Sequence, residues 1–148
     1  MEHGKLVKDM RLVIGGTAQG KLTFAKEFVE KSYADYSGYR ENEGNSCRIV
    51  DETYTKLEEL YEATIINHFH LIVRRMLSEK VDISEIVEQI VLQNPQVILV
   101  TTEIGYGIVP IDKFERNYRE QTGRICCTIA KKSQEVYRIT CGIPMQLK

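Results

Sequence analysis

The sequence predicts an α/β fold, with a mostly parallel β-sheet flanked by helices, in a single domain over residues 1–148. Short apolar segments alternate along the chain with longer segments whose apolar residues recur at helical spacing, which is the pattern of β-α-β units. The apolar segments are continuous, as is typical of strands buried on both faces of a sheet. Apolar residues make up 43% of the chain and charged residues 28%, a balance that indicates a globular rather than a disordered protein.

Strands are predicted where short apolar runs stop at glycine, proline or polar residues. Val97–Val100 is the clearest run, because it is continuous and rich in β-branched residues. The run Leu12–Ile14 ends at two glycines, as a strand does when it enters a tight turn. In chain order, the predicted strands are Leu12–Ile14, Cys47–Val50, Ala63–Ile66, Gln96–Thr102 and Glu135–Cys141.

Helices are predicted where apolar side chains recur every three or four residues. Asp82 and Asp112 each precede such a segment, and we expect them to cap its first turn. Gly123 lies inside the last helix at a cost of about 1 kcal/mol relative to alanine, so we expect close packing there. Ala34–Ser46 and Glu103–Ile111 follow neither period and are predicted to be loops. In chain order, the predicted helices cover Lys21–Tyr33, Thr53–Tyr61, His68–Lys80, the segment from Asp82 to Gln93, and a long segment after Asp112.

Composition and charge exclude several classes of function. Lysine plus arginine numbers 20 and aspartate plus glutamate 21, so a net charge of −1 provides no basic excess for binding nucleic acid. The apolar runs are far shorter than the roughly 20 residues of a membrane-spanning helix, and Met1–Asp9 lacks the apolar core of a secretory signal. The 4 cysteines form no Cys-x-x-Cys motif, and we expect them to be reduced and mostly buried. These features predict a cytoplasmic protein without a membrane segment.

The segment Gly15–Lys21 carries the motif with the clearest chemistry. It matches G-x-x-x-x-G-K and lies between the first predicted strand and the first predicted helix, as a phosphate-binding loop (P-loop) does. In such a loop, backbone N–H groups and the positive end of the helix surround an anionic oxygen, and the lysine reaches the β- and γ-phosphates of a nucleotide. We therefore predict nucleotide binding, with Lys21 as a catalytic residue; the alternative is a glycine-rich turn with a solvated lysine. The predicted binding residues are Gly15, Gly16, Thr17, Ala18, Gln19, Gly20, Lys21, Leu22 and Thr23.

Leu22 departs from the P-loop pattern. This position normally holds serine or threonine, whose hydroxyl binds Mg²⁺, and a hydrocarbon side chain cannot ligate that ion. Thr23 lies about 100° further round the helix and is a poor substitute. The motif therefore predicts ATP or GTP as the ligand and leaves Mg²⁺ binding open.

A second segment, Thr102–Pro110, reads T-E-I-G-Y-G-I-V-P. It resembles the N-E-V-G-x-G-I-V-P stretch of the adenosylcobinamide kinase/adenosylcobinamide-phosphate guanylyltransferase family of cobalamin biosynthesis. Phe114–Arg124 is similar to the F-R-D-x-x-G-R pattern of the same family. The resemblance implies a P-loop, RecA-like domain that binds ATP or GTP and a corrinoid and forms a homo-oligomer. Members of this family phosphorylate a hydroxyl on the corrinoid side chain and then attach GMP from GTP through a guanylylated histidine.

The chain departs from the family in one segment and at one residue. Ala34–Ser46 stands where the family has a strand and a helix that bears the nucleophilic histidine, and it contains no histidine. We therefore expect that the guanylyltransferase nucleophile is deleted and that the sheet is one strand smaller than in the relatives. Asn67 follows the predicted strand Ala63–Ile66, where the family has an aspartate or glutamate in the place of a Walker-B acid. An amide brings no charge that could organise a metal.

Other candidate residues have competing interpretations. Glu103, our second predicted catalytic residue, follows the strongest strand and can orient Mg²⁺ or a water; alternatively it accepts backbone N–H groups in its loop. His68 and His70 can bind a metal or replace the nucleophile. On a helix they would point about 200° apart, and the alternative is one packed and one solvated histidine. Arg119 and Arg124 can contact phosphates or form surface salt bridges.

Two functional hypotheses follow. In the first, the protein is an enzyme that transfers a phosphoryl group from ATP or GTP to adenosylcobinamide, with Gly15–Lys21 around the phosphates and Glu103 at the metal. In the second, it is a non-catalytic relative that binds a nucleotide, a corrinoid or a partner subunit. The combination of Leu22 and Asn67 in one site favours the second hypothesis.

Overall fold

The computed structural model describes residues 10–35, 47–104 and 109–148 and has the α/β architecture that the sequence predicts. The described strands form a 6-stranded sheet in the order β2-β3-β4-β1-β5-β6. The pairs among β1 to β5 are parallel, and β6 runs antiparallel to β5 at the edge. In chain order the elements are β1 (Arg11–Gly15), α1 (Lys21–Asp35), β2 (Ile49–Val50), α2 (Glu58–Glu62), β3 (Ile65–Ile66), α3 (Phe69–Ser78), α4 (Ile83–Gln93), β4 (Ile98–Thr102), α5 (Lys113–Lys132), β5 (Glu135–Thr140) and β6 (Ile143–Gln146).

The central strands are buried on both faces, which explains their continuous apolar sequences. Leu12 and Leu99 pack into a large cluster with side chains of α2 to α5. Val13 and Val100, their neighbours along the strands, pack into a smaller cluster with α1 on the opposite face. Helices therefore cover both faces of the sheet, and the predicted fold class is confirmed.

Both predicted helix caps are present. The carboxylate of Asp82 accepts the N–H of Ser84 at 3.0 Å at the start of α4. The carboxylate of Asp112 accepts the N–H of Phe114 at 2.7 Å at the start of α5. Each carboxylate satisfies a backbone donor that the first turn of a helix leaves without a partner.

The helix predicted over Thr53–Tyr61 is shorter than expected, because α2 begins only at Glu58. Side chains satisfy the preceding backbone groups in turns instead. The Asp51 carboxylate accepts the N–H of Thr53 at 2.9 Å, and the Glu59 carboxylate accepts the N–H of Thr55 at 2.6 Å. Aspartate and threonine compete with helical hydrogen bonding in this way, and an apolar pattern does not reveal it.

The last predicted strand, Glu135–Cys141, is in fact followed by a second strand. Cys141 and Gly142 form a tight turn with φ of 51° and 75°, and β6 then pairs back onto β5. Positive φ at both turn residues suits a two-residue hairpin. Proline argues against a strand in a sequence, and Pro144 is tolerated here because β6 lies at the sheet edge.

Two packing expectations are wrong. A Cβ added to Gly123 would meet no atom within 4 Å, so this glycine marks an open helix surface and not a close contact. The cysteines are mostly accessible: Cys47, Cys127 and Cys141 are exposed, and Cys126 is half-buried. Cys126 and Cys127 are adjacent on α5 and therefore cannot both face its buried side.

The two predicted loops are described only in part. Ala34 and Asp35 still belong to α1, whereas residues 36–46 lie outside the described residues. Residues 105–108 of the loop Glu103–Ile111 also lie outside them. Among the helices that are described, none is both long enough and apolar enough to cross a membrane.

Candidate functional site

The predicted P-loop connects β1 to α1 at the carboxyl edge of the parallel sheet, where α/β proteins bind ligands. Its path depends on glycine at both ends. A Cβ on Gly15 would lie 2.5 Å from the carbonyl oxygen of Ile139 on the neighbouring strand β5. Gly20 has φ of +90°, a conformation that side-chain-bearing residues rarely adopt.

The loop is fixed to its surroundings through its carbonyl groups and one side chain. The carbonyl of Gly15 accepts the N–H of Glu103 at 2.9 Å, beyond the end of β4. Gln19 holds the turn between β5 and β6: its side-chain oxygen accepts the N–H of Cys141 at 2.6 Å, and its carbonyl accepts the N–H of Gly142 at 2.9 Å. This clamp was not predictable from the sequence, because it joins positions 122 residues apart.

The backbone N–H groups of the loop are available to bind a ligand. Within the described residues, the N–H groups of Thr17, Ala18, Gln19 and Gly20 donate to no protein acceptor. They lie directly before α1, whose N-terminus adds partial positive charge. Such a set of donors is suited to an anion such as a phosphate group.

Lys21 is the cation of this site. It is buried, at 8% exposure, and its Nζ donates to the carbonyl of Gly16 across the loop. Burial lowers the pKa of Lys21 below its usual value, and the nearby Glu103 carboxylate opposes part of that shift. A bound anion would stabilise the charged form of a lysine in this environment.

The loop forms one wall of a cavity with a volume of about 380 Å³. The other walls come from the start of α1, the ends of β3 and β4, and the start of α3. The lining residues are Thr17, Ala18, Gln19, Gly20, Lys21, Leu22, Thr23, Asn67, His68, His70, Leu71, Val100 and Thr102. The structure thus places every predicted binding residue from Thr17 to Thr23 at one cavity, with Gly15 and Gly16 supporting the loop behind it.

The residues that line the cavity do not fit the Mg²⁺ ion that the resemblance implies. Leu22 packs its side chain against the apolar cluster around α1 and has no ligand atom. Thr23 is exposed and offers one neutral hydroxyl. Among the described residues, no carboxylate lines the cavity. Mg²⁺ in such sites is held by carboxylate and hydroxyl oxygens.

Glu103, the second predicted catalytic residue, lies near Lys21 but is engaged elsewhere. Its Oε2 accepts a hydrogen bond from the Arg138 guanidinium at 3.1 Å, and its side chain is 19% exposed. Its backbone N–H donates to the carbonyl of Gly15, so the residue helps to hold the start of the loop. The Glu103 carboxylate is close enough to Lys21 to affect its pKa, but it does not line the cavity.

Asn67 and His70 occupy the side of the cavity that faces the loop. Asn67 follows β3 and is buried at 8% exposure; its backbone N–H binds the carbonyl of Val50 at 2.7 Å. His70 accepts the N–H of Thr102 at Nδ1, at 3.2 Å. Burial, helped by the neighbouring His68 and Lys21, lowers the pKa of His70 to about 4, so its ring is neutral at pH 7.

The two histidines match the alternative of one packed and one solvated residue, because His70 is half-buried and His68 is exposed, but they do not point about 200° apart. His68 precedes α3 and has φ of 51°, so helical geometry does not apply to it. The two rings lie 5.9 Å apart, and both residues line the cavity. His68 is 48% exposed and its Nδ1 lies 3.2 Å from the carboxylate of Glu52.

Asp51, Glu52 and His68 form a cluster that the sequence analysis missed. One ligand atom from each lies within 4.8 Å of the others. The signal available in the sequence was the position of the acids after one predicted strand and of the histidine after the next, which brings them to the same sheet edge. The described contacts already engage the cluster, because Asp51 binds Thr53 and Glu52 binds His68.

Arg119 and Arg124 lie on α5, and neither lines the cavity. Arg124 forms a surface ion pair with Glu120 at 2.6 Å, which matches the salt-bridge alternative for that residue.

Comparison with known proteins identifies the family. A family model for cobinamide kinase / cobinamide phosphate guanyltransferase matches residues 37–147. The chain is 38% identical over 53 residues to the bifunctional adenosylcobalamin biosynthesis protein CobU of Salmonella typhimurium, a match that covers 36% of this chain and 29% of that protein. The figures are the same for CobU of Escherichia coli. The corresponding protein CobP of Pseudomonas aeruginosa is 36% identical over 53 residues, which cover 36% of this chain and 31% of CobP.

The matched segment thus spans less than a third of each of these relatives. Because the family model covers well over half of the chain, the protein belongs to the cobinamide kinase / cobinamide phosphate guanyltransferase family.

Proposed function

We propose that this protein binds ATP or GTP, with the nucleotide phosphates in the cavity beside residues 15–21. The observation that carries the proposal is the group of free N–H donors of Thr17 to Gly20, next to the buried cation Lys21. The loop precedes the segment that the family model matches, so the proposal depends on the residues of the loop and their geometry. Membership of a family of nucleotide-dependent enzymes adds independent support.

Nucleotide titration by calorimetry tests the proposal. We expect ATP or GTP to bind with micromolar to millimolar affinity. Lys21→Met should weaken binding at least tenfold, because it removes the only cation that lines the described cavity. Lys26→Met is the matched control, since Lys26 is an exposed lysine on the same helix. No heat or thermal shift with millimolar ATP and GTP, or equal losses in the two variants, would contradict nucleotide binding at this loop.

We further propose that binding is retained while the family chemistry is lost. Leu22 and Asn67 remove the hydroxyl and the charge that would hold a metal, and phosphoryl transfer depends on such charge neutralisation. Guanylyl transfer lacks its nucleophile, because residues 34–46 contain no histidine. The protein would then act as a non-catalytic relative that binds a nucleotide, a corrinoid or a partner subunit. Incubation with labelled ATP and adenosylcobinamide tests this directly, and formation of phosphorylated corrinoid would restore the kinase hypothesis, with Lys21 and Glu103 as its residues.

Self-association is proposed from the exposed edge of the sheet. On β6 and the residue that follows it, Ile143, Met145 and Leu147 are 69%, 58% and 52% exposed. Apolar side chains grouped at a sheet edge favour contact with a second copy. Light scattering should give more than the mass of one chain, and Met145→Lys should lower it.

A further inference from the structure

We propose that the cavity takes its nucleotide without a divalent metal, and that the side chains of Asn67 and His70 donate hydrogen bonds to the phosphates instead. This inference rests on the proposed nucleotide binding and specifies the form of the ligand: the free nucleotide, and not its Mg²⁺ complex.

Asn67 is the first support. Its side chain is more than nine-tenths buried, lines the cavity, and has no hydrogen-bond partner among the described residues. Among the described residues, Thr122 Oγ1 is the one fully buried side-chain polar atom without a partner, so the amide atoms of Asn67 remain accessible from the cavity and can bond to a polar ligand there. An amide can donate N–H bonds directly to a phosphate oxygen, whereas a carboxylate at the same place would repel the phosphate unless a metal lay between them.

His70 is the second support, because its hydrogen bonding determines which ring nitrogen carries the proton. Nδ1 accepts the N–H of Thr102, so Nδ1 is unprotonated. The neutral ring therefore carries its proton on Nε2, which is a donor and cannot ligate a metal. Its low pKa, about 4, keeps the ring in this neutral form at physiological pH. His70 lines the cavity with Asn67, so both offer N–H groups to the same space.

The remaining groups agree with a site built from donors. Leu22 supplies an apolar wall, Lys21 a positive charge, and the loop a series of N–H groups. The nearest acids are engaged: Glu103 by Arg138, and Glu52 by His68. A leucine and an imidazole N–H offer Mg²⁺ no ligand, and the amide oxygen of Asn67 is a neutral one, so a metal-bound phosphate would meet no ionised oxygen ligand among the described lining residues.

Calorimetry of ATP binding in EDTA and in excess Mg²⁺ tests the inference. We expect the native protein to bind ATP at least as tightly in EDTA as in Mg²⁺. Asn67→Asp should weaken ATP binding at least tenfold in EDTA and make binding tighter on addition of Mg²⁺. Binding that is tenfold tighter with Mg²⁺ in the native protein would overturn the inference but leave the proposed function intact. No binding under either condition would overturn both.

A second pair of variants tests the inference even if the Asn67→Asp protein does not fold. His70→Phe retains a ring and removes the Nε2 donor, and it should weaken ATP binding in EDTA at least threefold. Tyr61→Phe is the matched control: it also keeps a ring and removes one polar atom, but Tyr61 lies on α2 and does not line the cavity, so the affinity should stay within a factor of two. Circular dichroism confirms that each variant is folded. Equal affinities of the native protein and His70→Phe would overturn the assignment of His70.

Discussion

Two glycines show how the same residue type serves different purposes in this chain. Gly15 has no room for a side chain, because a Cβ would lie 2.5 Å from the backbone oxygen of Ile139. Gly123 has open space around it on α5. Gly15→Ala should lower the free energy of unfolding by about 2 kcal/mol, since strand β1 or β5 must shift. Gly123→Ala should raise it by up to about 1 kcal/mol, because alanine is the better helix former. Urea denaturation measures both, and effects of the same sign would contradict the description of these positions.

The neutral state of His70 should be visible in the pH dependence of stability. The pKa of His70 is lowered from 6.5 to about 4 by burial and by the neighbouring His68 and Lys21, with Glu52 opposing the shift. Between these two pH values the unfolded chain binds a proton that the folded chain does not, so stability is lost as the pH falls from about 6.5 towards 4. His70→Gln should reduce the loss of unfolding free energy between pH 7 and pH 5, measured by urea denaturation. His68→Gln should reduce the slope less than His70→Gln does, because burial is the largest cause of the shift, and an equally reduced slope in both variants would contradict the prediction.

At the scale of single elements, the clamp between the loop and the β5–β6 turn has a testable function. Gln19→Ala removes the 2.6 Å bond from the N–H of Cys141 but leaves the backbone bond from Gly142. We expect ATP affinity to fall threefold or more, because the N–H donors of the loop lose part of their fixed geometry, while the free energy of unfolding falls by only about 1 kcal/mol. Gln93→Ala is the control, since Gln93 is exposed on α4 and bonds only to Gln89. Unchanged ATP affinity in Gln19→Ala would show that the clamp does not position the loop.

Elements with strong local signals were predictable from the sequence, and those set by side-chain competition were not. The strand Val97–Val100 and the cap at Asp112 depend on neighbouring residues, and both are confirmed. The late start of α2 depends on whether Glu59 turns back to bind Thr55, and an apolar pattern contains no information on that choice. The hairpin to β6 depends on Cys141 adopting positive φ, which is uncommon outside glycine and asparagine.

At the scale of the whole molecule, the part of the site formed by consecutive residues could be predicted from the sequence. The part that the sheet brings together from distant segments could not. The motif Gly15–Lys21 is local, so the sequence indicates it directly. The bond between Thr102 and His70 joins positions 32 residues apart, and it exists because β3 and β4 are neighbours in the sheet. The orientation of both histidines towards the cavity likewise follows from the turn at His68, which the assumed helix concealed.

The histidines of the whole chain allow a final prediction, that the protein does not become guanylylated. Its 3 histidines include His3, which lies outside the described residues. His70 carries its proton on Nε2 and has its Nδ1 bonded to Thr102, so neither nitrogen can attack GTP. His68 lines the cavity and binds Glu52, which makes it the described position on which an adduct would form if the reaction survived.

Incubation with GTP labelled at the α-phosphate, in the presence of Mg²⁺, should therefore leave the denatured protein unlabelled. GTP labelled at the γ-phosphate is the matched control, because it would label a phosphorylated protein but not a guanylylated one. A stable α-label that His68→Gln abolishes would show that His68 has replaced the missing nucleophile, and the loss of guanylyl transfer would then be wrong. An α-label that persists in His68→Gln would place the nucleophile elsewhere and overturn the same conclusion. An unlabelled protein that still binds GTP by calorimetry would show that nucleotide binding and guanylyl transfer have separated in this chain, as we propose.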